Sequence, residues 1–205
     1  MLRSRAHLGF TVVELMVGIA VLAFLLTIAG PSFATWLQNS QIRNMSEAIK
    51  DGLELARAEA VRRNAQVRFE LVNSLTATCA LSTSASNWIV SMDGAVGACD
   101  STNMADAAAP AAPRVIQSRG SSDGSGNAVI AASSGAAFDG HITFNGLGRM
   151  TYPTADVAIN VTNPTGGACM ASSGPMRCLR VTVGAGGQIR MCDPRTSFNG
   201  TSEGC

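Results

Sequence analysis

The chain has 205 residues, 46% of them hydrophobic and only 14% charged. That supports one folded domain plus an anchor and excludes wholesale disorder. Lys and Arg number 15 against 14 Asp and Glu, leaving +1 at pH 7, so charge alone points to neither nucleic acid nor an acidic substrate. Aromatic residues make up 5%, too few for a base-stacking platform along a single strand.

Residues 1–9 carry Arg3, Arg5 and His7, and residues 10–30 then read FTVVELMVGIAVLAFLLTIAG with Glu14 as the only charge. As helix this stretch spans roughly 30 Å, the thickness of a bilayer's hydrocarbon core. A secretory signal would have a shorter apolar core followed by an A-x-A-like site. No such site precedes the polar stretch that starts near Gln38. The segment therefore reads as a retained anchor, with Arg3 and Arg5 holding the N-terminus in the cytoplasm. A carboxylate at the depth of Glu14 costs on the order of 2.5–3.5 kcal/mol. Either it reaches the interface or is protonated, or a cationic partner meets it inside a helical assembly.

Gly9-Phe10-Thr11-Val12-Val13-Glu14, followed by Leu15, resembles the G-F-T-x-x-E-L processing site of type IV pilins and type II secretion pseudopilins. The resemblance implies that a prepilin peptidase cuts between Gly9 and Phe10 and N-methylates Phe10. It also implies that Glu14, then the fifth residue, pairs with the N-terminal amine of a neighbouring subunit during assembly. Pro31 is similar to a helix-interrupting proline common in the family.

Beyond Pro31 the helix is expected to continue, because a proline kinks a helix without ending it where neighbours hold both halves. Ile42, Met45, Ile49, Leu53, Ala56 and Ala60 recur in steps of three or four, the period of one helix face. Arg43, Glu47, Lys50, Glu54 and Arg57 mark the opposite, solvated face. Glu47–Lys50, Lys50–Glu54 and Glu59–Arg63 have the spacing of helical ion pairs. The helix ends near Asn64, a residue able to take the left-handed position after a helix.

The period then changes. Val67, Phe69 and Leu71 alternate with Arg68 and Glu70, predicting a half-buried strand. Further strands are expected over 87–91, 113–118, 127–131, 141–144, 156–161, 177–183 and 187–192, separated by Gly and Ser clusters. One long helix and then many strands predicts an α+β fold, with an antiparallel sheet packed on the second half of the helix. Asn87-Trp88-Ile89-Val90 with Asp93-Gly94 resembles the W-x-V-x-x-D-G stretch of the GspH/FimT-like branch of the pilin family. Ile142-Thr143-Phe144-Asn145 with Gly146 and Gly148, and the ending from Leu179 to Pro194, are similar to its strand-turn and its final hairpin.

All six cysteines, Cys79, Cys99, Cys169, Cys178, Cys192 and Cys205, follow the apolar segment. An even number in loop-rich sequence predicts disulfides in an oxidising compartment. No C-x-x-C pair occurs and His7 and His141 are the only histidines, a poor set for metal. Cys79–Cys99 is the favoured pair. For the others, Cys169–Cys178 with Cys192–Cys205 competes with Cys178–Cys192 and Cys169–Cys205. The chain has no G-x-S-x-G, H-E-x-x-H or P-loop motif, and His141 belongs to a strand pattern, so no enzyme activity and no cofactor are expected.

The resemblance implies this organisation: a cleaved leader at 1–9, a transmembrane and assembly helix at 10–31, an amphipathic headgroup helix at 32–64 and a β-rich periplasmic headgroup at 65–205. It implies a single-pass inner-membrane protein that later joins a pilus at the cell surface. Its partners would be other pilins and minor pilins, prepilin peptidase and the membrane. The leading expectation is a FimU/FimT-like minor pilin that helps to prime assembly near the filament tip. FimT-like relatives that take up DNA use a G-R-x-R stretch; here Gly187-Gln188-Ile189-Arg190 replaces the first arginine by Gln188. A DNA-binding role would then fall to Arg180, Arg190 and Arg195. A GspH-like pseudopilin of a type II secretion system is the third possibility.

Overall fold

The computed structural model describes residues 10–102, 111–135 and 137–205, apart from the side chains of 28–31; the expected leader, with Gly9, lies outside them. Helix α1 (Val12–Arg63) is the first element, and its backbone runs through Pro31. The chain divides into two compact units, Met1–Leu37 and Gln38–Cys205.

In the first unit the large apolar side chains, among them Phe10, Leu15, Leu22, Phe24 and Trp36, are exposed. By length and composition no single helix among the described residues is apolar enough to cross a membrane. Val12–Thr27 and Ser32–Arg63 meet that test together, as a bent pair.

In the second unit the apolar face of α1 is fully used. Ile42, Met45, Ile49, Leu53, Ala56 and Ala60 are all buried. Gly52 lies on the same side, and a Cβ there would stand 2.9 Å from the Phe69 ring and 3.1 Å from the Trp88 ring. The roughly 1 kcal/mol that glycine costs a helix interior is offset by this close approach of ring to backbone. On the solvated face Arg43 takes Glu47 and Lys50 takes Glu54, and at the helix end the half-buried Glu59 takes both Arg62 and Arg63. Glu47 thus pairs one turn back, not forward to Lys50. Asn64 ends the helix at φ 48°. The Ala65 N–H reaches the Ala60 carbonyl and the Asn64 N–H the Val61 carbonyl, each at 3.2 Å, the paired bonds that satisfy a helix's last acceptors.

The strands are β1 (Val67–Val72), β2 (Asn87–Ser91), β3 (Val115–Arg119), β4 (Val129–Ser134), β5 (His141–Phe144), β6 (Met150–Tyr152), β7 (Val157–Thr162), β8 (Leu179–Val183) and β9 (Ile189–Cys192). The fold is α+β as expected, but the strands form two antiparallel sheets, ordered β3-β2-β1-β5-β6 and β4-β7-β8-β9. Phe69, Trp88, Ile142 and Phe144 from the first and Ile130, Ile159, Val161 and Val181 from the second join the helix face in one core. The second sheet closes that core. β6 escaped the sequence reading because it is only three residues long and stops at Pro153.

Strand β1 departs from the expected alternation. Arg68 is partly exposed, but Glu70 is 1% exposed and Val72 is fully buried. The outer face of the first sheet is covered by the connection between β1 and β2 and the stretch after β2, where Val72, Cys79, Ile89, Ala95 and Cys99 form a small second core. The structure pairs Cys79 with Cys99, Cys169 with Cys178 and Cys192 with Cys205.

Candidate functional site: the capped helix start and the arginines of the headgroup

The helix start is built by its own sequence. Thr11 precedes the first helical residue and its Oγ1 accepts the Glu14 N–H at 3.2 Å, while its carbonyl accepts the Leu15 N–H at 3.1 Å. Thr11-Val12-Val13-Glu14 therefore works as a capping sequence, with the acid in the first turn where the helix dipole favours negative charge. The reading from sequence missed this role, although the T-x-x-E spacing carries it. Phe10 and Glu14 are both exposed, and no ion pair is formed by Glu14 among the described residues. Cutting before Phe10 would set a free amine four residues from this carboxylate on the same helix end.

Farther along α1 the buried face turns polar. Asn163, fully buried after β7, donates to Gln41 Oε1 at 3.0 Å, and the Arg177 N–H donates to Asn39 Oδ1 at 2.7 Å. These contacts fix the 163–178 segment, closed by Cys169–Cys178, against the start of the headgroup helix.

The three candidate arginines are not equivalent. Register places Arg180 opposite Asn160, and Arg190 opposite Thr182, so Arg180 and Arg190 share the outer face of the second sheet. Arg180 Nε donates to Asn160 Oδ1 at 2.7 Å. Arg190 is exposed and has no ion pair among the described residues; it stands with Asp156, Thr182 and Gln188 around one open groove. Arg195 lies elsewhere and is committed. Its Nη2 is 2.8 Å from Asp193 Oδ2, and its guanidinium lies over the Phe198 ring at 4.3 Å.

Asp193 is the centre of that network. It is 2% exposed and also accepts from Arg177 Nε at 3.0 Å and from the Arg195 backbone N–H at 3.1 Å. The tail closes over it: the Asp193 N–H donates to the Glu203 carbonyl, the Cys205 N–H to the Asp193 carbonyl, and Cys205 is bonded to Cys192. Burial alone would raise the Asp193 carboxyl, but hydrogen bonds from Arg195 and Arg177 outweigh it and hold the group below the usual aspartate range. His141 is also engaged locally, with Nδ1 at 2.7 Å from Asp139 Oδ1 and its ring stacked on Tyr152. Among the described residues no three His, Cys, Asp or Glu side chains gather as metal ligands.

A capped apolar helix start and an antiparallel, disulfide-bearing β-rich unit are features of a pilin-like protein. Residues 4–30 match the prokaryotic N-terminal methylation motif, and residues 46–193 match the family described as type II transport protein GspH. The chain belongs to the GspH family of type IV pilin-like minor pilins and pseudopilins. No curated protein matches it. Two crystal forms of the type IV minor pilin FimU from Pseudomonas aeruginosa (strain PAO1) align at 13% and 17% identity. Each alignment covers 73% of this chain and 90% or 87% of FimU, with a TM-score of 0.46. The family is one of structural pilins, not of enzymes.

Proposed function

We propose that this chain is a minor pilin of a type IV pilus, with a structural and not a catalytic role. In this reading prepilin peptidase cuts between Gly9 and Phe10 and Phe10 is N-methylated. Residues 10–31 then hold the subunit in the inner membrane and later in the filament, with 32–64 and 65–205 forming the periplasmic headgroup. The subunit joins other pilins through its N-terminal helix and helps to prime assembly near the tip. The observation that carries it is the methylation motif over residues 4–30 joined to a helix whose apolar side chains are exposed in its own unit. Mass spectrometry of the protein from its native membrane tests the processing step; the expected N-terminus is methylated Phe10, and any other start refutes it. A clean deletion is expected to lower surface piliation and twitching.

The GspH family description favours one alternative, a pseudopilin of a type II secretion system. Deletion would then abolish secretion of exported proteins and leave pili intact.

A DNA-capture role has a narrower base. Arg180 and Arg190 share a sheet face, but Arg195 is neutralised by Asp193 and Asp156 lies beside Arg190. With only two of the three candidate arginines offered to phosphate, binding should be weak and strongly salt-dependent. The Gln38–Cys205 unit is expected to retard duplex DNA only at low salt, and Arg190→Ala to abolish the shift. No shift at low salt excludes the role.

A further inference from the structure

On the outer face of the first sheet, β1 sets Glu70 opposite Ile89 of β2 and His141 of β5. The position would face water if the sheet were bare, yet Glu70 is buried. Residues 92–99 lie across it. The Ala95 N–H donates to Glu70 Oε2 at 2.8 Å. Gly94 passes so close that a Cβ there would stand 3.1 Å from Arg68 Nη1 and 3.6 Å from Glu70 Oε1. The segment has two further anchors. Asp93 binds Nε and Nη2 of Arg114 at 2.8 and 2.9 Å, and Cys99 is bonded to Cys79, whose carbonyl accepts the Gly97 N–H at 3.0 Å.

We infer that residues 92–99 are a proton-linked cover, closed over the sheet when Glu70 is neutral and opening locally when Glu70 is ionised. Around Glu70 stand Arg68 on its own strand, Ser91 from β2 and His141 from β5, and Arg68 is also near enough to act on Asp93 of the Asp93–Arg114 pair that ties the cover to the approach to β3. Asp139 and Tyr152 hold the His141 ring. Burial outweighs the Ala95 hydrogen bond and the Arg68 and His141 charges, so the Glu70 carboxyl is pushed above the usual glutamate range. Asp93 moves the other way, because its hydrogen bonds with Arg114 favour the carboxylate.

The sign follows from linkage. With the cover open, Glu70 meets water and binds its proton with ordinary affinity. With the cover closed it holds the proton more tightly. Closure is therefore strongest in acid and weakens as pH rises from the ordinary glutamate value through the raised one. The Asp93–Arg114 pair stays ionised across that interval, and the disulfide confines the opening to this segment. Opening bares Val72 and Ile89, so the headgroup surface offered to a neighbour changes with pH.

Amide hydrogen exchange on the full chain in detergent micelles tests this, read as protection factors so that intrinsic rates cancel. The Ala95 and Gly97 amides are expected to lose protection several-fold between mildly acid and neutral pH. Glu70→Gln should abolish that loss and leave both amides protected. Arg68→Gln should enlarge it, because the cation stabilises the ionised carboxylate, and His141→Gln should retain it or enlarge it to a smaller degree in the same direction. A flat wild-type profile, a loss that persists in Glu70→Gln, or an equal loss at Phe69 and Val90 in the β1–β2 ladder would each overturn the inference.

Discussion

Glu14→Ala is expected to leave the headgroup folded and the chain in the membrane fraction, but to lower its content in sheared filaments at least about tenfold. A tenfold change corresponds to ~1.4 kcal/mol, less than the ~2.5–3.5 kcal/mol that a carboxylate costs at bilayer depth. In the proposed assembly that cost is offset when the carboxylate meets the amine of another subunit's Phe10, so the interaction is large enough to decide incorporation. The capping geometry supplies a necessary control. The Glu14 N–H is bonded to Thr11 Oγ1, and an acid in a first turn is itself worth about 0.3–1 kcal/mol to the helix. Thr11→Val removes the cap and keeps the charge, whereas Glu14→Gln keeps a side chain suited to the cap and removes the charge. If charge pairing is the cause, Glu14→Gln fails as Glu14→Ala does and Thr11→Val is incorporated. Equal incorporation of Glu14→Ala and wild type would remove the basis of the assembly role.

The helix was legible because its signal is local. The steps from Ile42 to Ala60 name one face, and that face is buried. Asn64 was legible for the same reason, since a left-handed residue is chosen by its own backbone conformation. Strand alternation named β1, but alternation says which face of a strand is apolar and not which strand it pairs with. The split into two sheets was therefore hidden. Glu70 was misplaced on the solvent side by the same logic: Arg68 and Glu70 alternate correctly, and only the later stretch around Ala95 covers the second of them. The local T-x-x-E cap was visible and was overshadowed by the longer motif that contains it. Arg195 looked like a free cation because the sequence does not reveal that Asp193, two residues earlier, is buried beneath the tail.

That buried acid carries the largest expected effect on headgroup stability. Asp193→Asn is expected to destabilise the Gln38–Cys205 unit by about 2 kcal/mol at neutral pH. Breaking a fully buried ion pair costs ~3–5 kcal/mol, but Arg177 is half exposed and Arg195 about a quarter exposed. Both can recover part of their hydration, which discounts the loss. For a unit of this size the change lowers Tm by roughly 4–8 °C. Its pH dependence separates charge from shape. The folded Asp193 carboxyl lies below its ordinary value, held there by Arg195 and Arg177 against the opposing pull of burial. Its contribution is therefore present above the ordinary aspartate value and is lost as pH falls through the depressed one. Urea titrations of wild type and Asp193→Asn should diverge at neutral pH and converge in strong acid. A gap that persists unchanged in acid would assign the effect to lost packing at the base of the Cys192–Cys205 tail, and no gap at neutral pH would show that the two arginines need no counter-charge there.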